Sequence, residues 1–223
     1  MTPRDLLLSG ASELGISLTP EQVNAVFLYL AELHKWNRKM NLTAITLERD
    51  VIIKHILDSL AYTTGFEPTP GLRLLDVGSG AGFPALPIKI AFPGIMITMV
   101  DSVKKKAAFL RHIVRTLQLA ETDVIDTRVE DLPARLNSSF DIVTARAFAD
   151  MGAALKAGIP LLKPGGVMVL SRGPDENLEI AILESLHAEQ GNIIDLTLPH
   201  SDYKRAIWVF RKVGQQNSQD DVK

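Results

Sequence analysis

The first 65 residues place apolar side chains at helical spacing. Thr19-Pro20-Glu21-Gln22 has the form of a helix-capping box, and apolar residues then recur three and four positions apart, at Val23, Val26, Phe27, Leu30 and Leu33. The stretch LERDVIIKHILDSLAY repeats this spacing. The pattern predicts an N-terminal helical segment over residues 1–65, and the Pro- and Gly-rich GFEPTPG at 65–71 predicts a boundary after it.

From residue 72 the periodicity changes to short β-rich runs. There are seven of them, at 73–77, 95–101, 123–129, 140–147, 165–171, 192–198 and 206–213. Segments of helical character separate the first five, which predicts an α/β fold with a mostly parallel seven-stranded sheet and helices on both faces. The last two runs lie close together and predict an antiparallel pair at the sheet edge. This second domain spans 72–213, and we expect the polar tail 214–223 to be disordered.

Composition narrows the class of protein. The chain has 223 residues, 46% of them hydrophobic, enough for one good-sized domain with a substantial core. It has no run of 18 uncharged apolar residues and no signal-peptide pattern, so we expect a cytoplasmic protein that binds no membrane. The absence of cysteine excludes disulfide scaffolds, thiolate zinc sites and cysteine nucleophiles, and we expect no metal site. A net charge of −2 means that any nucleic-acid contact comes from local patches.

The most informative stretch is LLDVGSGAGFPALPIKI, residues 74–90, where a strand, a glycine-rich turn and a helix follow one another. Gly78, Gly80 and Gly82 give the spacing G-x-G-x-G, and Phe83 stands where the dinucleotide fingerprint has its third glycine. Asp76 lies two residues before the first glycine, and a carboxylate there is unfavourable beside a pyrophosphate. S-adenosylmethionine carries an ammonium, a sulfonium and no phosphate, so this loop favours it over a nicotinamide dinucleotide.

Two further strand ends carry polar residues that suit an adenosine. Asp101 ends the run IMITMVD, about 20 residues after the glycine loop, the offset expected of a ribose-binding acid. Val129 and Glu130, in RVED, come at the end of the third run, where an adenine edge is read. The competing interpretation is that the glycines form only a tight turn. Three strand-end features in the correct order favour the adenosine site.

Several motifs together resemble one family. LLDVGSGAGFPALPIKI, MVDSVKKKAAFL, RVED and TARAFAD, preceded by WNRKMNLTAI and IIKHILDSL, are similar to the RsmG family, also called GidB. The resemblance extends from about residue 20 to 213. These bacterial enzymes methylate N7 of a guanine in small-subunit (16S) ribosomal RNA, and the resemblance therefore implies a class I methyltransferase with S-adenosylmethionine as donor.

The resemblance also implies residue roles. Gly78 and Phe83 belong to the donor loop, and Val129 and Glu130 hold the adenine. Arg146, in TARAFAD, lines the donor pocket and faces the reaction centre, which makes it the catalytic candidate. Where the family often has Lys-Gly after the fifth strand, this chain has Arg172-Gly173. The charge is kept but the geometry of the cation is not, which leaves the role of this residue open.

The absent motifs agree with N7 chemistry. Methylation of pyrimidine carbon-5 ordinarily needs a cysteine, and methylation of an exocyclic amine uses an Asn- or Asp-Pro-Pro-aromatic motif where this chain has Thr144-Ala145-Arg146. N7 carries a lone pair and no proton, so we predict no essential acid or base and expect alignment to supply most of the rate. Arg146 has two interpretations: a salt-bridge residue at the edge of the core, or a site residue that contacts the donor, guanine O6 or a phosphate.

Basic clusters are the candidates for RNA contact. They lie at 35–39, 104–115 and 204–212, and from them and the fifth strand we select Arg38, Lys39, Lys105 and Arg172. Each cluster has the alternative interpretation of a solvated face. His55 and Asp58 share a helix face, which predicts a local pair that anchors the helical segment. The near-neutral charge predicts a small RNA footprint and a structured or partly assembled ribosomal substrate. We also expect a monomer.

Two other classes of function fit parts of the pattern. One is a methyltransferase for a small molecule or a protein, with residues 1–65 as a lid over its pocket. The other is a non-catalytic nucleotide-binding module or a nicotinamide oxidoreductase. Phe83 and Asp76 count against the oxidoreductase.

Overall fold

The N-terminal helices begin where their capping residues lie. The computed structural model describes residues 1–146, 150–173 and 180–214. Helix α1 spans Pro3–Glu13 and α2 spans Pro20–Met40, and each starts at a capping box, the second between Thr19 and Gln22 as predicted. The predicted disorder of the tail concerns residues 215–223, which lie outside the described part of the chain.

The third helical stretch changes its winding along its length. It consists of α3 (Glu48–Val51), a π-helix (Ile52–Leu57), α4 (Asp58–Ala61) and a final 3₁₀ turn (Tyr62–Gly65). Runs of π-helix are rare and are frequent at functional sites. The irregular part of this stretch includes the His55 position.

The seven predicted strands are present in one sheet. They are β1 Arg73–Val77, β2 Met96–Val100, β3 Thr122–Ile125, β4 Phe140–Ala145, β5 Leu162–Arg172, β6 Ala188–Thr197 and β7 Lys204–Lys212. Their order is β3-β2-β1-β4-β5-β7-β6. The first five are parallel, and β7 runs antiparallel to both β5 and β6. The predicted sheet, with its antiparallel pair at one edge, is therefore confirmed.

Helices cover both faces of the sheet. They are α5 (Ala85–Ala91), α6 (Lys104–Thr116), α7 (Met151–Gly158) and α8 (Ile180–Ser185). Helices α5 and α6 pack on one face, where Leu74 and Ile97 are buried, and α7 packs on the other against Leu75 and Val143. The first core is continuous with the N-terminal helices, from which it includes Tyr29. The division into domains at residues 65 and 72 stays a prediction.

Strand register determines which loops meet. In β1, Val77 is the register partner of Val100 in β2 and of Ala145 in β4. The residues that follow these three positions therefore emerge side by side at the carboxyl edge of the sheet, where the strand order reverses. Ligands bind open α/β sheets at this switch point.

The described residues contain neither a membrane-spanning helix nor a group of metal ligands. None of the helices in 1–146, 150–173 and 180–214 is long and apolar enough to cross a bilayer. The same residues contain no group of three or more His, Asp or Glu side chains arranged to hold a metal ion.

Candidate active site

The glycine loop after β1 is held against the neighbouring strand. The backbone N–H groups of Gly78 and Ser79 both donate to the carbonyl of Val100, at 2.8 and 3.0 Å. Gly78 has φ +71°, and a Cβ added there would meet no atom within 4 Å. Gly82 has a different reason to be glycine, since a Cβ there would overlap the side chain of Leu86. The first glycine thus faces open space, and the last allows close packing of the loop on α5.

Asp101 connects this loop to the start of α6. One carboxylate oxygen accepts from the Gly80 N–H at 2.8 Å, and the other accepts from the Val103 N–H at 2.8 Å. These bonds fix the orientation of a side chain that is almost fully buried. Each carboxylate oxygen keeps a further lone pair, so the group is still able to accept from two ribose hydroxyls.

A cavity of about 290 Å³ opens beside Asp101. It brings together four of the predicted donor residues and five others: Val77, Gly78, Val100, Asp101, Ser102, Thr127, Arg128, Val129 and Glu130. Valine side chains supply an apolar wall and the carboxylates lie at its rim. This composition fits an adenosine, with a flat apolar base and a hydroxylated sugar.

Asp76 lies beneath the loop and is fully buried. Its Oδ1 accepts from the Thr144 hydroxyl at 2.9 Å, and its Oδ2 has no partner among the described residues. Burial raises the pKa of this carboxyl from 3.8 to about 7, against the bonds from Ser79 and Thr144, which lower the pKa. A buried carboxylate oxygen without a donor is costly unless a ligand supplies one, and the ammonium of the methyl donor is such a group.

Phe83 lies between the loop and the N-terminal helices. Its ring stacks on the imidazole of His55 with centroids 4.5 Å apart, and it contacts the ring of Tyr29 at 5.6 Å. Tyr29 is fully buried in α2, and its hydroxyl donates to the carbonyl of Ala81 at 2.5 Å. The N-terminal helices therefore hold both the backbone and the aromatic side chain of the glycine loop.

Arg146 follows β4 and is bound on one side by the third helical stretch. Its Nη2 donates to the Lys54 carbonyl at 2.6 Å and lies 3.0 Å from Nδ1 of His55 and 3.2 Å from Oδ2 of Asp58. The guanidinium carbon lies 5.5 Å from the centroid of Phe83. Its Nη1 is buried and has no partner among the described residues. The ion pair with Asp58 confirms the salt-bridge interpretation, and the role of Arg146 as a site residue stays a prediction.

His55 is bound on both ring nitrogens. Nε2 lies 2.7 Å from the Thr43 hydroxyl, and Nδ1 lies 3.1 Å from the Lys54 carbonyl as well as near Arg146. Burial, followed by the charge of Arg146, lowers the pKa of this imidazole from 6.5 to about 4. The ring is therefore neutral at physiological pH. The sequence predicts that His55 and Asp58 form a local pair, whereas in the structure both contact the Arg146 guanidinium.

The basic candidates lie apart from the cavity floor. Arg38 and Lys39 are exposed in the last turn of α2, Lys105 is exposed in the first turn of α6, and Arg172 is half-buried at the end of β5. Their roles stay predictions. Of the motif TARAFAD, residues 147–149 lie outside the described chain.

Three residues in these contacts are not among the sequence candidates. Tyr29 binds the glycine loop, Thr43 binds His55, and Thr144 binds Asp76. In the sequence, Tyr29 is one more apolar position of an amphipathic helix and Thr144 is one residue of a β-rich run. Their partners are 52 and 68 residues away, and no local spacing indicates such contacts.

Comparison with known proteins gives a consistent family. The family model GidB, described as rRNA small subunit methyltransferase G, matches residues 22–206. A protein of Geobacter metallireducens named Ribosomal RNA small subunit methyltransferase G is 40% identical over 211 residues, which cover 93% of this chain and 95% of the relative. A protein of the same name from Acetivibrio thermocellus is 36% identical over 218 residues, 95% of this chain and 89% of the relative.

Solved structures share the fold at low identity. The [4+2]-cyclase SpnF superposes with a TM-score of 0.59 at 18% identity and covers 89% of this chain and 99% of its own. TYW2 of M. jannaschii, solved with AdoMet, has a TM-score of 0.55 at 14% identity and covers 70% of this chain and 74% of its own. The fold is thus that of class I methyltransferases, which confirms the predicted fold class.

Proposed function

This chain belongs to the GidB family, the rRNA small subunit methyltransferase G proteins, and from that membership we propose that it transfers a methyl group from S-adenosylmethionine to N7 of a guanine in small-subunit (16S) ribosomal RNA. One observation in the site supports this reaction most directly. Two buried polar atoms have no partner within the described chain: Oδ2 of Asp76, near the end of β1, and Nη1 of Arg146, directly after the adjacent β4. The Asp76 oxygen suits the ammonium of a cationic methyl donor, and the Arg146 nitrogen suits a hydrogen-bond acceptor on the base.

The residues present fit the methyl donor. Asp101 accepts from the ribose hydroxyls, and Val129 and Glu130 hold the adenine at the cavity rim. Asp76 faces the ammonium from below the loop, where Gly78 leaves open space. No anionic pyrophosphate is tolerated so close to a buried carboxylate, which is why a nicotinamide cofactor is the poorer fit.

N7 methylation asks little acid–base chemistry of the protein. When bound, S-adenosylmethionine supplies a sulfonium methyl, which the N7 lone pair takes as the carbon–sulfur bond breaks, leaving S-adenosylhomocysteine and no proton to remove. The protein therefore acts by alignment and by excluding water. The rings of Phe83, His55 and Tyr29 form a buried aromatic wall beside the loop, which restricts where the target base is able to lie.

We propose that Arg146 binds the edge of guanine that carries N7. That edge presents the acceptors O6 and N7, and an arginine often binds both. Here Nη2 has Lys54, His55 and Asp58 as neighbours, whereas Nη1 has no partner in the described chain and is available to donate. A single donor reaches O6 and leaves N7 free to accept the methyl group. Asp58 also balances the guanidinium charge, which reduces its repulsion of the sulfonium.

The proposed substrate is an assembled or partly assembled small subunit, and the proposed enzyme is a cytoplasmic monomer that binds no membrane. With a net charge of −2, the chain has no overall excess of positive charge to attract RNA phosphates. Arg38, Lys39, Lys105 and Arg172 are proposed as those that approach RNA. A shaped ribosomal surface then supplies the remaining recognition.

The test is a methylation assay on purified particles. The protein is incubated with methyl-labelled S-adenosylmethionine and small subunits that lack the modification, and the digested RNA is analysed by mass spectrometry. We expect 7-methylguanosine in the small-subunit RNA, its loss in Arg146→Ala, and its retention in Arg135→Ala, which removes an exposed arginine outside the site. Absence of label from this RNA, or label on another base atom, would overturn the proposal.

A further inference from the structure

The imidazole of His55 lies between the donor loop, the α2–α3 connection and Arg146. The residue is 8% exposed, and its ring stacks on Phe83 and has a polar neighbour at each nitrogen. A buried ring with such contacts exists as one tautomer, and which nitrogen holds the proton determines which neighbours are able to donate to it. The tautomer therefore decides how His55 acts on Arg146.

The neighbours of Nδ1 select between the tautomers. Nη2 of Arg146 lies 3.0 Å away and is able only to donate, because a guanidinium has no acceptor. A proton on Nδ1 would face those hydrogens directly. The Lys54 carbonyl, 3.1 Å from Nδ1, already accepts from Arg146 at 2.6 Å. With the lone pair on Nδ1, the ring accepts from the cationic guanidinium but faces the Lys54 carbonyl, whereas the opposite tautomer donates to that carbonyl but sets its N–H against the guanidinium. The contact with the cation is the stronger of the two and selects the first arrangement.

The other nitrogen is able to donate in this arrangement. The Thr43 hydroxyl is 2.7 Å from Nε2 and is able to accept a proton from the ring. Thr43 is itself fixed, because its backbone N–H and carbonyl both bind the side chain of Asn37 at 2.9 Å. The chain of contacts thus runs from the end of α2 through Thr43 and His55 to Arg146.

We propose that His55 is a positioning residue for methyl transfer: neutral and protonated on Nε2, it accepts from Arg146 through Nδ1 and so directs Nη1 at the substrate. The test of this proposal by reaction rate rests on the proposed function, whereas the contact between His55 and Arg146 is measurable without RNA. Without Nδ1, the guanidinium keeps Lys54 and Asp58 as partners on the same nitrogen but is free to rotate about the contact. Misplacement of a positioning group by about 1 Å costs on the order of 100-fold in rate.

The tautomer is measured first, on the unmodified protein. ¹⁵N-histidine labelling gives ring-nitrogen resonances for the five histidines, and a His55 variant assigns its signals. We expect a proton on Nε2 and an unprotonated Nδ1 in wild type at pH 7, and a change of the Nδ1 resonance in Arg146→Lys. A proton on Nδ1 would overturn the proposal without any assay of methylation.

Two matched substitutions separate positioning from packing. His55→Asn places an oxygen near the position of Nδ1, and His55→Gln places its polar atoms near that of Nε2, while both remove the ring. Single-turnover methylation at saturating RNA should fall roughly 10- to 100-fold in H55Q and less than about fivefold in H55N. Equal losses, or a larger loss in H55N, would refute the role of Nδ1. The donor Kd should change by the same factor in both variants, because both remove the ring that stacks on Phe83.

A double-substitution cycle tests whether His55 acts through Arg146. H55Q in an Arg146→Lys background should lower the rate by less than about twofold beyond Arg146→Lys alone, because the contact is already lost. Additive losses would contradict the proposal. If wild type fails to methylate ribosomal RNA, the proposed function fails, and the resonances still decide the His55–Arg146 contact.

Discussion

Asp58 binds Arg146 through Nη2 and not through Nη1, which has no partner among the described residues: Oδ2 of the carboxylate lies 3.2 Å from Nη2, in a side chain that is 3% exposed. The same carboxylate accepts from Nε of Arg205 at 2.9 Å. One acid from the N-terminal helical segment thus joins two arginines from β7 and the end of β4. Charge balance around Arg146 therefore depends on a residue outside the Rossmann-like sheet.

Asp58→Asn should destabilise the fold and weaken donor binding together. It leaves two arginines unpaired at a buried position, and breaking such a pair costs roughly 3–5 kcal/mol. Urea unfolding and calorimetric donor titration measure the two effects. Arg205→Ala is the matched control, since the contact between Asp58 and Arg146 survives it. Equal donor affinity in Asp58→Asn and wild type would contradict the role of Asp58 in screening the arginine.

Asp76 should make donor binding depend on pH. Burial holds its pKa at about 7, so the carboxylate that attracts the ammonium becomes ionised as pH rises. Donor affinity should therefore increase between about pH 6 and 7.5, before the donor's own amine begins to lose its proton. Calorimetric titrations across this range measure it. In Asp76→Asn the affinity should be lower and this rise absent; a rise of the same size in the variant would exclude Asp76 as its source.

The Asp76 carboxyl should also make the free energy of unfolding decrease as pH rises. Its pKa is raised in the folded state, so the folded protein binds this proton more tightly than the unfolded chain does. The free energy of unfolding is then highest below the ordinary pKa of 3.8, as far as this group is concerned, and falls as pH rises through 7. Denaturant unfolding at pH 6 and pH 8 should show a smaller decrease in Asp76→Asn than in wild type.

Tyr29→Phe should loosen the glycine loop. The hydroxyl that binds the Ala81 carbonyl is lost, which leaves a buried acceptor unsatisfied and costs about 1–2 kcal/mol of unfolding free energy. Donor affinity should fall several-fold because the loop backbone is less constrained. Tyr62→Phe is the control, since that hydroxyl lies a longer 3.5 Å from its acceptor, the Ala145 carbonyl. Similar losses in the two variants would argue that general packing, not the loop contact, matters.

Two glycine substitutions should separate binding from folding. Gly78→Ala puts a methyl group into open space above the loop, so donor affinity should fall tenfold or more while stability falls by only about 1–2 kcal/mol for the left-handed backbone. Gly82→Ala overlaps Leu86 and should chiefly destabilise the fold. Thermal melting and donor titration of both variants measure this. Unchanged donor affinity in Gly78→Ala would place the donor elsewhere.

Much of this arrangement follows from local sequence. β1 has the predicted bounds, 73–77, because a hydrophobic run there ends directly at a glycine turn. The strand-end positions of Asp101 and Arg146 follow likewise from where β-rich runs stop. The contacts of His55 do not follow, since helical spacing places it beside Asp58 but says nothing of a residue 91 positions away.

The sequence by itself determines the alternation of strands and helices, the glycine loop with its acid, and hence the class of ligand, because each depends on residues close together in the chain. Only the tertiary structure decides that Tyr29 holds the loop and that His55 and Asp58 meet Arg146. It also decides that Nη1 of Arg146 and Oδ2 of Asp76 have no partner in the part of the chain that the structure describes. The physical reason is that strand register and packing of the N-terminal helices bring these groups together, and neither is encoded in any local periodicity.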